Sequence, residues 1–243
     1  MPAAATVISQ LRVGAKTNEH KAAMRLLGFL PIRDKVVTAD AMFTHRDFAQ
    51  AVRDGGASMS WSPKTITRNC QSRSGPRSTT RRTFPPYQLR QKRAQEQTAQ
   101  TTDKGHGRTE ARRLTSTTSL NAHPDWPEVG QVHERERVRQ TGAKSQVEVV
   151  YGITRLGWAR ADARALLALV RGHWGIENRL HYVKDETLGE DRYRVRRGSS
   201  PEVLAMLRNV AVHLLEGVAA PSKAAATCRF MIHPDEALPL LFA

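Results

Sequence analysis

Cysteine is nearly absent. Cys70 and Cys228 are the only two in 243 residues, too few and too scattered for a disulfide framework or a zinc knuckle, so a reducing cytoplasm is the expected setting. Aromatic residues make up 6% of the chain and apolar ones 40%, a lean supply, so part of the chain is expected to lie outside any core. No apolar run approaches the roughly 20 residues that span a bilayer, and Met1 to Thr6 lack the charged and apolar regions of a signal peptide. Acidic residues are also scarce: 23 stand against 38 lysines and arginines, for a formal charge of +15 and a pI near 10.7. Such an excess calls for an anionic partner. With no lipid-binding helix pattern and no membrane segment, nucleic acid is the expected one.

What the chain does contain is concentrated between Arg171 and Asp191, R-G-H-W-G-I-E-N-R-L-H-Y-V-K-D-E-T-L-G-E-D. This stretch continues a run of good helix formers, Ala161 to Val170, and its apolar positions Leu166, Leu169, Val170, Trp174, Leu180 and Val183 have the spacing of one buried helix face. At about 100° per residue Glu177 falls about 20° from Leu166, so the spacing predicts an inward carboxylate, with His173, His181 and Lys184 along the same edge. An unpaired buried carboxylate costs several kcal/mol or takes up a proton, so a metal or a basic group is expected opposite Glu177. Gly172 and Gly175 weaken the helix by about 1 kcal/mol each relative to alanine, which predicts a close approach to the backbone there.

The string H-W-x-I-E-N-x-L-H, followed by D-x-T-x-x-E-D-R at Asp185 to Arg192, resembles the signature of bacterial insertion-sequence transposases of the DDE class, in particular their H-repeat-associated subgroup. The resemblance implies that Glu177 is the third metal-binding carboxylate and that Lys184 is the lysine the superfamily places seven residues later. His173 and Val170 stand where the superfamily has an arginine and a tyrosine, and the subgroup itself carries His-Trp there.

Taken in order, Thr6 to Val13 suits a strand, and Thr17 or Asn18 can cap a helix through Leu27 that stops near Gly28. Lys16 to Glu19, K-T-N-E, resembles the family's K-S-N-E. Lys35 to Ala39 reads as a short buried strand ending at Asp40, and Thr44 as the cap of a helix with Phe48, Ala49 and Val52 on one face that ends at Gly55-Gly56. V-V-T-A-D-A-M, Val36 to Met42, resembles the family's strand with the second catalytic aspartate, which carries over onto Asp40. A strand-end aspartate by itself is more often a helix or turn cap; its place before Glu177 in the family's chain order favours the catalytic reading. The family resemblance implies a ribonuclease-H-like α/β core, incomplete here: its first aspartate belongs to an earlier strand, and Met1 to Ala5 offer no substitute, so an N-terminally truncated copy is expected.

Residues 58–92 are crowded with Ser, Thr, Arg, Pro and Lys and show no periodicity, so at face value they form a disordered basic linker. A second explanation is genetic. Ser60 to Cys70, S-W-S-P-K-T-I-T-R-N-C, can be encoded by bases that read V-V-A-E-D-N-H-A-E-L when regrouped one position earlier, a peptide resembling the family's strand and acidic loop. D-K-G-H-G-R-T-E-A-R-R, Asp103 to Arg113, resembles the family's H-G-R-x-E-x-R at the start of a β-rich insertion, with strands expected near Glu128 to Val138 and Gln146 to Ile153. Arg108, Arg112 and Arg113 are its candidate phosphate contacts; Trp126 reads as a loop anchor. After the Glu177 helix, Arg192, Arg194, Arg196 and Arg197 form a basic turn. Ser200-Pro201 then opens a helix with Val203, Leu204, Leu207, Val210, Ala211 and Leu214 as its buried stripe.

The organisation expected is therefore 1–57, half of the core with Asp40; 58–104, a basic disordered or frame-shifted segment; 105–158, the β-rich insertion; 159–217, the Glu177 helix, basic turn and closing helix; and 218–243, a tail. The chemistry the resemblance implies is cutting and joining of double-stranded DNA, element ends and target alike, with two Mg²⁺ ions (or Mn²⁺) held by three carboxylates, of which Asp40 and Glu177 are present. Lys184 would position a phosphate. The arginines would grip the DNA. A homodimer or an intact transposase is the expected protein partner and the nucleoid the expected location. With one carboxylate missing, an impaired nuclease is expected. Two alternatives stay open. One is a non-catalytic DNA-binding remnant that interferes with an intact transposase. The other is a zinc enzyme using His173, Glu177 and His181, although these lack the H-E-x-x-H spacing and the two histidines lie about 12 Å apart along a helix axis.

Overall fold

The computed structural model describes residues 6–13, 18–71, 96–105, 107–119 and 128–242, with main chain alone for 61–71. His106 and Trp126 lie outside the described residues, as do 72–95. The chain divides into two compact units, Leu27–Val170 and, together, Met1–Leu26 with Arg171–Ala243.

The first unit is built on a six-stranded sheet in the order β1-β2-β6-β5-β4-β3. Its strands are β1 (Val36–Ala39), β2 (Ser58–Gln71), β3 (Glu96–Gly105), β4 (Arg108–Thr117), β5 (Gln131–Thr141) and β6 (Lys144–Thr154). β1 pairs with β2 in parallel and every other pairing is antiparallel. The parallel pair needs a crossover, supplied by a short 3₁₀ turn (Ala41–Phe43) and helix α2 (Arg46–Asp54). α2 buries Phe48, Ala49 and Val52 as its spacing predicts, but it starts after His45, and Thr44 lies one residue before that cap. Asp47 supplies the local hydrogen bond instead, accepting from the amide of Phe48 at 2.8 Å. β1 is half-buried rather than buried, because it is an edge strand with one covered side.

Within 58–104, expected to be a basic disordered or frame-shifted segment, residues 58–71 and 96–104 lie in strands, and 72–95 are outside the described residues. β2 sits inside the sheet and takes main-chain partners from both β1 and β6. Ladder bonds are made by the backbone, which side-chain composition does not report. The register slips between Trp61 and Lys64, which puts Pro63 at a bulge, where a residue without an amide donor is tolerated. β3 is the opposite edge, and its polar, mostly exposed sequence E-Q-T-A-Q-T-T-D-K-G fits a strand whose outer side faces water.

Helix α3 (Ala163–His173) packs on one face of this sheet, burying Ala163, Leu166, Leu167 and Val170 at helical spacing against Leu114 and Leu156. The amide of Ala165 donates to Asp162 at 2.7 Å, capping the helix start. Gln131, fully buried, donates to the carbonyls of Leu156 and Ala161 at 2.8 and 2.7 Å and so fixes the turn between β6 and α3. Gly130 is needed beside it: a Cβ there would lie 2.4 Å from the carbonyl oxygen of Arg155.

The second unit holds α1 (Glu19–Leu27, its last residue belonging to the first unit), α4 (Ser200–Glu216) and α5 (Lys223–Ile232). Asn18 caps α1, its side chain accepting from the amide of Lys21 at 3.0 Å. Residues 6–13 form no strand. Side chains rather than a ladder hold them to α4: Thr6 bonds His213, and Gln10 donates to the carbonyl of Glu202 and accepts from the side-chain Nδ2 of Asn209. The expected stripe of α4 is also corrected. Val212 and Leu215 are its buried residues, while Val203, Leu207 and Val210 are exposed, so the helix is turned away from the face its apolar spacing marks. No helix among the described residues is long and apolar enough to cross a membrane, and Cys228 is an exposed free thiol.

Candidate active-site helix and nucleic-acid interface

Beyond His173 the helix does not keep its pitch. A turn at Trp174 precedes two π-helical stretches, Glu177–His181 and Val183–Thr187. The amide of Tyr182 bonds the carbonyl of Glu177, and that of Leu188 bonds Val183 at 2.9 Å, each five residues apart. These wider turns invalidate a projection at a constant 100° per residue. Glu177 is exposed, not inward, and Trp174 is 52% exposed; Val183 is the residue of the segment that is buried. The expected close approach at Gly172 and Gly175 is also absent among the described residues, where a Cβ at either would meet nothing within 4 Å.

Lys184 is half-buried, and its ammonium lies 3.0 Å from the carboxylate of Glu190. Asp185 sits near Asp191 and Glu190; burial first, and then these two carboxylates, raise its pKa above the ordinary range. His173 stacks edge-on against Trp174 with ring centres 6.0 Å apart, whereas His181 is exposed. Among the described residues His173, Glu177 and His181 do not bring three ligand atoms within 4.8 Å of one another, which removes the geometry a zinc site on this helix needs.

The basic turn follows at once. Residues 191–200 are all exposed and take no helix until Ser200. Arg192 pairs with Glu186 at 3.1 Å. Arg194, Arg196 and Arg197 have no ion pair among the described residues. Two residues that the sequence did not single out hold the start of this turn: Arg208 of α4 donates to the carbonyl of Leu188 at 3.4 Å and lies over the ring of Tyr193, 4.8 Å from its centre. Nothing in the spacing of α4 marks Arg208, because its partners are a main-chain oxygen and a ring in another segment.

In the sheet unit, Asp40 directly follows β1 and is exposed, one carboxylate oxygen accepting from the amide of Ala41 at 2.6 Å as cap of the 3₁₀ turn. Asp40 and Glu177 thus belong to different compact units. The arginines of β4 are engaged locally. Arg112, 14% exposed, binds both Glu110 and Asp103, and Arg108 lies 3.4 Å from Glu110. Arg113 is exposed and stands across from Glu136 in the ladder.

The family described as Transposase DDE domain matches residues 3–214. The chain belongs to that family. Among its curated relatives, H repeat-associated putative transposase YhhI of Escherichia coli (strain K12) is 26% identical over 86% of this chain and 54% of that protein. Putative transposase YncI of Escherichia coli O157:H7 is 25% identical over 86% of this chain and 53% of that protein. The DDE-family chain therefore spans about half the length of the curated relatives it matches. No solved structure is a significant match. The matched span includes Asp40, Glu177, Lys184 and the whole basic turn.

Proposed function

We propose that this chain serves DNA transposition, binding duplex DNA through the turn Arg192–Arg197 and contributing carboxylates to metal-assisted strand cleavage and strand transfer. The observation that carries the reading is the set Arg194, Arg196 and Arg197, three exposed guanidinium groups without carboxylate partners among the described residues, directly after the helix of Glu177 in one compact unit. Free arginines on an exposed turn can each replace a condensed counterion on a phosphate. Arg108, 45% exposed at its side chain, is a secondary contact. Arg112 has its charge largely taken up by two carboxylates.

The donor chemistry fits a hard divalent cation. Glu177 is an exposed carboxylate, and Asp40 keeps one oxygen clear of the cap that the other makes; magnesium and manganese take such oxygens. When bound, the metal would supply activation of the attacking oxygen and stabilisation of the leaving one. The protein's part is to hold the DNA by the basic turn and to present Glu177 and Asp40. Lys184, held by Glu190, keeps a positive charge near the Glu177 helix for a phosphate. A ribonuclease-H-like core is the fold we infer from family membership, with double-stranded element ends and target as substrate and a second copy or a longer transposase as partner. Since the resemblance assigns two acidic residues of this sequence and no third, cleavage by these 243 residues alone should be impaired.

Binding to duplex DNA across a salt series tests the reading. Replacing Arg194, Arg196 and Arg197 by alanine should flatten the dependence of log affinity on log salt by about 2.7, three phosphates at roughly 0.9 each. An unchanged slope would sink it. In a nicking assay with Mg²⁺ or Mn²⁺, any cleavage should vanish in Glu177→Gln while DNA affinity stays. Metal-independent behaviour, identical in both proteins, would mark a non-catalytic DNA-binding chain.

A further inference from the structure

We infer that Arg208 is a positioning residue for the arginine-rich turn, an assignment that rests on the DNA-binding reading above. The turn has no regular structure of its own: residues 193–196 belong to no helix or strand, and the side chains from 191 to 200 are exposed. Several phosphates can be met at once only if such a segment is held in place, since each freely moving arginine gives up side-chain and backbone entropy on binding.

Arg208 supplies the hold. It projects from the middle of α4, half-buried, and meets the loop at two points: the carbonyl of Leu188 at 3.4 Å and the face of Tyr193 at 4.8 Å. Between those points the chain turns through Gly189, whose φ of +63° is open to glycine and strained for other residues. The loop is tied a third time where Lys184 meets Glu190 at 3.0 Å, and the amide of Tyr193 closes back on the carbonyl of Glu190 at 3.2 Å. A guanidinium group can donate in its plane and stack by its face together; an ammonium does one or the other. Arg208 therefore fixes where the run that begins at Arg192 leaves the Glu177 helix.

The test measures duplex DNA affinity over a salt series for wild type, Arg208→Met, Arg208→Lys and Tyr193→Leu, with helix content followed by circular dichroism. If Arg208 positions the turn, Arg208→Met and Tyr193→Leu both flatten the salt slope by more than one phosphate's worth, about 0.9, and Arg208→Lys recovers part of it. A slope lowered by about 0.9 in Arg208→Met and unaltered in Tyr193→Leu would make Arg208 a direct phosphate contact and overturn the inference. So would an affinity loss at unchanged slope, the mark of a smaller folded fraction. If Arg208→Met fails to fold, Tyr193→Leu decides, since it removes the stacking partner from an exposed site and leaves α4 intact. Wild type that shows no salt-dependent DNA binding would bring down the DNA reading itself, a result separable from the others because no variant is needed to see it.

Discussion

Arg137 donates to the carboxylate of Glu110 across the β4–β5 ladder at 2.9 Å, and it reaches Glu148 of β6 from its other side at 3.4 Å. Glu110 is 5% exposed and is also met by Arg108, Arg112 and Arg139. Burial alone would raise its pKa, but the hydrogen bond and charge of Arg137, with Arg112 and Arg139, outweigh it and hold the carboxyl at about 2. A folded pKa below the ordinary 4.5 gives stability that is present above 4.5 and lost as pH falls towards 2. Glu110→Gln leaves four arginines facing an uncharged amide, so a loss of about 3–5 kcal/mol is expected. Urea unfolding should show it. Added sulfate should restore part of the stability, and indifference to the substitution would mean that solvent already screens the cluster.

His133 makes the opposite kind of demand. It is fully buried on the sheet face opposite Ser116 of β4, between Gln131 and Arg135 along β5. Burial first, and the charge of Arg135 second, lower its pKa from 6.5 to about 4. The unfolded chain takes up this proton near 6.5 and the folded one only near 4, so stability is full above 6.5 and falls as pH drops through that window. At about 1.4 kcal/mol for each pKa unit, the loss amounts to ~3 kcal/mol by pH 4. Unfolding free energy measured between pH 7 and 4, values chosen to bracket that window, should decline in wild type. It should decline less in His133→Gln. Equal slopes would place the titration elsewhere.

The sequence was most legible where a residue's role is set by its near neighbours. Phe48, Ala49 and Val52 are buried on α2, the helix after Asn18 has that residue as cap, and Leu166 and Val170 are buried on α3. It was less legible where the partner is remote or made of backbone. β2 was hidden because its ladder partners on β6 lie far along the chain and its own side chains are polar. The arginine cluster of Glu110 needs the β4–β5 register before its members meet. Thr6 to Val13 has the composition of a strand, yet it is held by side-chain bonds to α4. For the candidate site, the family signature is legible in the sequence and the orientation of Glu177 is not: a constant helical pitch turns it inward, and the π turns do not keep that pitch. The hold of Arg208 on Tyr193 left no trace in either residue's spacing.

Gly172 and Gly175 offer a direct measure of that change of pitch. Close packing against the backbone is the reason their sequence context suggests, and the structure removes it, since among the described residues a methyl group at either position meets nothing within 4 Å. What remains is their weak helix propensity, located where α3 gives way to a turn at Trp174 and then to π turns. In open space Gly→Ala should stabilise a helix by about 0.5–1 kcal/mol, partly by restricting the unfolded chain. Gly172→Ala lies inside α3 and should raise the thermal midpoint. Gly175→Ala lies at the break; if the π register depends on flexibility there, alanine should favour uninterrupted α-helix and turn Glu177 out of its exposed position. Hydrogen exchange of the amides of Tyr182 and Leu188, the donors of the five-residue bonds, should then change in Gly175→Ala and stay as in wild type in Gly172→Ala. Destabilisation by both substitutions would show instead that something packs against this backbone after all.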